Sequence, residues 1–98
     1  MNIVLTGFMA SGKTAVGRKI AETASMQFID TDAVIEEKSQ MTISQIFKAY
    51  GEEHFRMLES EIAEQLSTAD NAVISTGGGM VLNTKNISLL RKNGIIVN

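Results

Sequence analysis

The sequence predicts an α/β domain, a parallel sheet flanked by helices. Three observations carry this. Short apolar runs of β type alternate along the chain with segments of helical periodicity. Those runs are apolar throughout, as strands covered by helices on both faces require. Glycine-rich or polar clusters directly follow three of the runs, where parallel sheets bind ligands, beyond the carboxyl ends of their strands.

Taken in order, Ile3-Val4-Leu5 is the first strand, ending at Gly7. A helix follows from Gly12, with Val16, Ile20 and Ala24 spaced four apart as its inward stripe. Gln27-Phe28-Ile29 is the second strand, closed by Asp30-Thr31-Asp32, and residues 33–38 read as a short helix with Val34 and Ile35 inward. Thr42 is an N-cap whose capping box is completed by Gln45. Ile43, Ile46, Phe47 and Tyr50 form the buried stripe of that helix, and Gly51 closes it. The next helix buries Phe55, Leu58, Ile62 and Leu66, with Glu59, Glu61 and Glu64 off the stripe. Ala72-Val73-Ile74-Ser75 is a third strand, running into Thr76-Gly77-Gly78-Gly79. A helix over 84–93 holds Ile87 and Leu90, and Ile95-Ile96-Val97 is the fourth strand.

Composition narrows the function classes. With 44% hydrophobic and 20% charged residues, the 98-residue chain resembles ordinary soluble domains. A net charge of −2 argues against a general nucleic-acid binder or a ligand of acidic membranes. The absence of cysteine excludes disulfides and thiolate metal sites, and a single histidine argues against zinc. No signal peptide and no apolar run of membrane-spanning length is present, so a cytoplasmic location is expected.

The strongest motif is Gly7-Phe8-Met9-Ala10-Ser11-Gly12-Lys13-Thr14, the phosphate-binding P-loop pattern G-x-x-x-x-G-K-[ST]. Its glycines let backbone N–H groups wrap phosphate oxygens. Lys13 reaches the β- and γ-phosphates, Thr14 offers its hydroxyl to Mg²⁺, and the helix that starts there presents its positive dipole end. The candidate nucleotide-binding residues are therefore Ala10, Ser11, Gly12, Lys13, Thr14 and Ala15. In Asp30-Thr31-Asp32, one carboxylate suits Mg²⁺ and the other suits proton acceptance from an alcohol, while the plainer reading is a turn with Thr31 or Asp32 capping the next helix. Arg56 and Glu59 are either a surface i,i+3 ion pair or a guanidinium held by its neighbour to grip a substrate carboxylate. Gly77-Gly78-Gly79 is either a flexible turn or a place where backbone closely approaches a ligand.

Taken together, Gly7 to Thr14, Asp30-Thr31-Asp32, Gly51-Glu52-Glu53-His54-Phe55-Arg56 with Glu59, and Ser75 to Gly79 resemble the shikimate kinases, a family of P-loop kinases. The resemblance covers the whole chain as the N-terminal part of a single P-loop kinase domain, residues 1–98. It implies transfer of the γ-phosphate of ATP, with Mg²⁺, to the 3-hydroxyl of shikimate, in aromatic amino-acid biosynthesis. Lys13 and Asp32 would be catalytic, Asp32 as the base that also binds the shikimate hydroxyls. Arg56 would hold the shikimate carboxylate, with Glu59 orienting it. Gly77, Gly78 and Gly79 would line the pocket, and Thr14 and Asp30 would serve the metal. The implied strand order is two, three, one, four, with a fifth strand beyond Asn98.

The sequence departs from the family at Ala10, where glycine is usual, and it lacks the family's lid and adenine-contacting loop. The expectation is a fragment that is nearly inactive alone and exposes an edge at its fourth strand, where copies of the fragment can pair, whereas the longer parent is expected to be a monomer. Gluconate kinase or nucleoside-monophosphate kinase activity is the alternative within the same class. A non-catalytic nucleotide-binding module is the alternative outside it.

Overall fold

The computed structural model describes residues 1–6, 10–77 and 79–97, with the backbone alone for residues 10–14. The chain forms β1 (Asn2–Leu5), α1 (Ala10–Ala24), β2 (Gln27–Asp30), α2 (Thr31–Ser39), α3 (Ile43–Tyr50), α4 (Glu52–Leu66), β3 (Ala72–Ser75), a 3₁₀ turn (Met80–Leu82), α5 (Thr84–Arg91) and β4 (Gly94–Val97). The strands lie in the order β2-β3-β1-β4 with every neighbouring pair parallel, as the resemblance implies. Register sets the ends flush: Leu5 pairs with Ser75 and Val97, and Asp30 pairs with Ser75. The segments after β1, β2 and β3 therefore leave the sheet at one edge.

Alternation along the strands divides the core in two. Val4, Ala72 and Ile74, with Ile29 and Ile96, face a cluster that includes Ile35, Ile46, Phe55, Ile62, Met80 and Leu90 from α2 to α5 and the 3₁₀ turn. Leu5 and Val73, with Ile3 and Phe28, face Ala21 and Ile20 of α1 and Met26 just after it. On that second face Ile95 and Val97 of β4 stay exposed. Among the described residues no helix is long and apolar enough to cross a membrane.

Several boundaries and faces differ from expectation. The first helix begins at Ala10 rather than Gly12, and Val16 and Ala24 point to solvent, with only Ile20 of the predicted stripe partly covered. The helix instead turns Gly17 and Ala21 to the sheet. A Cβ on Gly17 would lie 2.5 Å from Phe28 Cε1 and 3.2 Å from Leu5 Cδ1, so the helix rests too close to the strands for a side chain there. Phe28 is capped from the other side by Arg18, whose Cζ sits 4.9 Å from the ring centroid.

The helix after β2 begins at Thr31, not residue 33, and its cap is Asp30 rather than Thr31 or Asp32. The capping box of Thr42 and Gln45 forms as predicted. In α3, Ile46 alone is fully buried, while Phe47 and Tyr50 are largely exposed because only one turn of this short helix meets the core. Phe47 still stacks on Phe55 at 4.9 Å, and Tyr50 on His54 at 4.7 Å. The last helix stops at Arg91, and the 3₁₀ turn before it has no signal in the sequence.

Candidate functional site

The start of α2, the glycine segment after β3 and one turn of α4 converge where β2 and β3 end. Asp30 closes β2, and its Oδ1 accepts the backbone N–H groups of Asp32 (3.0 Å) and Ala33 (3.3 Å). That cap fixes the start of α2 and sets Asp32 in its first turn, where the helix dipole favours a carboxylate. Thr31 is fully buried, and its Oγ1 accepts the N–H of Gly77 at 3.0 Å. This bond ties the start of α2 to the glycines after β3.

Those glycines are there because two charged side chains occupy the space above them. A Cβ on Gly77 would lie 2.4 Å from Asp32 Oδ1. A Cβ on Gly79 would lie 1.7 Å from Arg56 Nη1. At these two positions the backbone closely approaches charged side chains and continues directly into the 3₁₀ turn, with Met80 N–H bonded to Gly77 O and Leu82 N–H to Gly79 O, both at 3.2 Å. Buried Asn86 of α5 donates from Nδ2 to Met80 O at 3.0 Å and holds this turn from behind.

Arg56 and Glu59 do not form a plain surface pair. Glu59 is expected off the buried stripe of α4, yet only 2% of its side chain is exposed. Arg56 Nη1 donates to Glu59 Oε1 at 2.7 Å, and Nη2 donates to Glu52 Oε1 at 3.2 Å. Burial pushes the Glu59 carboxyl up from the ordinary carboxylate range; the hydrogen bond and charge of Arg56 oppose this, and the negative charge of Asp32 adds to it. The hydrogen bond that Arg56 donates to Glu59, assisted by the one to Glu52, holds Arg56 firmly charged. The result is a guanidinium bonded to two carboxylates and open in part to solvent, with Asp32 near enough for its charge to act on Glu59. Such an arrangement can take a carboxylate on Arg56 and hydroxyl groups on Asp32.

Of the residues read from the sequence, Asp32, Arg56, Glu59, Gly77 and Gly79 thus come together. Asp30 is placed as the helix cap at the same edge. Ala10, Ser11, Gly12, Lys13 and Thr14 lie in the first turns of α1, at the sheet edge where β1 ends, but their side chains fall outside the described residues, as do Gly7, Phe8, Met9 and Gly78 altogether. Ala15 is exposed on α1. Sequence reasoning missed Thr31, Glu52 and Asn86. Only Glu52 had a local signal, its i,i+4 spacing to Arg56.

Comparison with known proteins bears on this geometry directly. The sequence model of the shikimate kinase family matches residues 9–98. The shikimate kinase of Thermoanaerobacter pseudethanolicus is 55% identical over 96 residues, covering 98% of this chain and 56% of the relative. That of Caldicellulosiruptor saccharolyticus is 53% identical over 95 residues, covering 97% of this chain and 55% of the relative. The chain thus spans little more than half the length of these relatives. The structure of the Acinetobacter baumannii shikimate kinase in complex with shikimate superposes with a TM-score of 0.91 at 40% identity, over 97% of this chain and 53% of that one. A gluconokinase from Sinorhizobium meliloti reaches a TM-score of 0.55 at 21% identity, a likeness of fold alone. By sequence and by fold, the chain belongs to the shikimate kinase family.

Proposed function

We propose that the protein containing this chain transfers the γ-phosphate of ATP to the 3-hydroxyl of shikimate, as a cytoplasmic enzyme of aromatic amino-acid biosynthesis. The observation that carries the reading is Arg56, fixed by buried Glu59 over Gly79 and set in one site with Asp32. A bidentate guanidinium suits the acceptor carboxylate, and the hydroxyls on the opposite side of the ring suit Asp32. Asp32 orients the attacking hydroxyl and accepts its proton as the new bond forms. The P-loop backbone with Lys13 cradles the phosphates. Thr14 and Asp30 are the residues that would hold Mg²⁺; a hydroxyl and a carboxylate are the hard oxygen donors this ion prefers, and Asp30 already stands at the strand end with one oxygen fixed by backbone N–H groups. Mg²⁺ bound there supplies neutralisation of phosphate charge.

The reading extends to the chain by itself. These 98 residues turn over poorly alone, because the family's lid arginines lie outside them, and such an arginine is worth about 10³–10⁵ in rate. Phosphate transfer from ATP, assayed on the longest natural form of the protein against shikimate, gluconate and nucleoside monophosphates, tests the proposal. Shikimate should be the acceptor; phosphorylation of gluconate and not shikimate would replace the reading. Efficient turnover by the 98-residue chain would refute its second part.

A further inference from the structure

Arg56 is contacted by two carboxylates of very different character. Glu59 is buried, lies 2.7 Å from Nη1 and is enclosed by the site. Glu52 is the first residue of α4, its side chain is 69% exposed, and it lies 3.2 Å from Nη2. Gly79 lies nearest Nη1, where a Cβ would sit 1.7 Å away. Nη1 thus carries the buried carboxylate and Nη2 the exposed one, so Nη2 is the nitrogen that an incoming anion can contest, and Glu52 stands on it.

Resting on the reading of Arg56 as the anchor for the acceptor's carboxylate, we infer that Glu52 is a built-in competitor: its carboxylate occupies Arg56 Nη2 and must swing away before the acceptor's carboxylate can take that position. The geometry makes the exchange cheap. An exposed ion pair at this spacing shifts an equilibrium by only about two- to five-fold. Glu52 also has somewhere to go, because a carboxylate in the first turn of a helix is favoured by the dipole without any partner. Glu59 has no such freedom: moving it would strand a buried carboxylate. The two contacts thus divide the work. Glu59 fixes the guanidinium. Glu52 keeps its outer nitrogen occupied, so that a lone anion gains little from Arg56 while an acceptor that also reaches Asp32 gains enough to displace it. Glu52 is a specificity-setting residue in this account, acting through Arg56.

The test compares Glu52→Gln with Glu61→Gln, an exposed glutamate on the same helix. The first readout needs no acceptor: the rate at which phenylglyoxal, an arginine-selective dicarbonyl, modifies Arg56, located by peptide mass spectrometry. Glu52→Gln should label about two- to five-fold faster than wild type, and acetate should protect it over chloride at equal ionic strength more strongly than it protects wild type. Glu61→Gln should behave as wild type. Labelling unchanged in Glu52→Gln, or equally raised in Glu61→Gln, overturns the inference. The second readout is calorimetric titration of shikimate and of its methyl ester into the longest natural form. Glu52→Gln should bind shikimate about two- to five-fold tighter, with no change for the ester. Weaker binding of shikimate by Glu52→Gln would make Glu52 a holder of Arg56 and overturn the inference. If wild type binds no shikimate, that result counts against the proposed function, and the labelling and acetate protection decide the role of Glu52.

Discussion

The two ends of the sheet carry similar chemical groups and use them in opposite ways. At the amino ends of the strands, Asn2 donates from Nδ2 to Ala69 O at 2.9 Å and accepts the N–H of Ala72 at 3.0 Å. Asn93 donates to Ala69 O and to Asp70, and the terminal ammonium of Met1 pairs with Asp70. These groups satisfy one another. At the carboxyl ends, Asp32, Arg56 and Glu59 are gathered with backbone cleared away beneath them at Gly77 and Gly79. Glu59 is held there with its carboxyl pushed up by burial, whereas Asp70 is held below its ordinary range by the Met1 ammonium and Asn93. One carboxylate costs the fold stability at neutral pH and the other contributes to it. A site is where the chain accepts that cost.

The comparison breaks most readily at the glycines. Gly79→Ala should displace the Arg56 guanidinium and weaken shikimate binding by about 10–100-fold, the loss of a charge-assisted contact, while urea unfolding shifts little because the clash is with a movable side chain. Gly17→Ala is its structural counterpart: pressing on Phe28 and Leu5, it should destabilise by about 1–3 kcal/mol. A result in which Gly79→Ala unfolds the protein and leaves binding intact would reverse the roles assigned to the two glycines.

Asn2→Ala probes the other end. It strips the acceptor from Ala72 N–H and a donor from Ala69 O, and should cost about 1–3 kcal/mol in urea unfolding with shikimate affinity unchanged. A smaller effect separates the two carboxylates by pH. For Glu59, whose pKa is raised in the fold, the native state binds the extra proton, so stability is fully present below the unfolded value near 4.5 and declines as pH rises through the folded one. Glu59→Gln should therefore match wild type in acid and become relatively more stable toward neutral pH, while binding shikimate more weakly. Asp70 has the opposite sign. Its stabilisation is present above the ordinary value of 3.8 and disappears as pH falls through the depressed one, so Asp70→Asn should be the less stable protein at neutral pH and converge with wild type in acid. Urea midpoints across pH 2–8 for the two variants check both signs together.

What the sequence made legible follows from how local each cause is. The capping box at Thr42 depends on two residues three apart and forms as read. The third strand was visible because both its faces are buried and its run is mostly apolar. The face of α1 was misread because its buried side is marked by Gly17, a residue chosen for lack of a side chain, which an apolar count passes over. The burial of Glu59 was hidden for a different reason. It arises from tertiary packing around α4, which meets α2, α3, α5 and the 3₁₀ turn, and no pattern local to the helix announces it. Thr31 and Asn86 act through single long-range hydrogen bonds, to Gly77 N–H and Met80 O, which no local pattern announces. The order of the strands came from the resemblance to a family, since the residues alone determine that the sheet is parallel but not which strands adjoin.

The central claim is that the carboxyl ends of β2 and β3, with α4, form an acceptor site anchored on Arg56. The most direct test is calorimetric titration of shikimate, with Mg²⁺ and ADP present, into the longest natural form of the protein and into its Arg56→Ala variant. The account predicts saturable binding that weakens about 100-fold without Arg56. Equal binding by both proteins would contradict it.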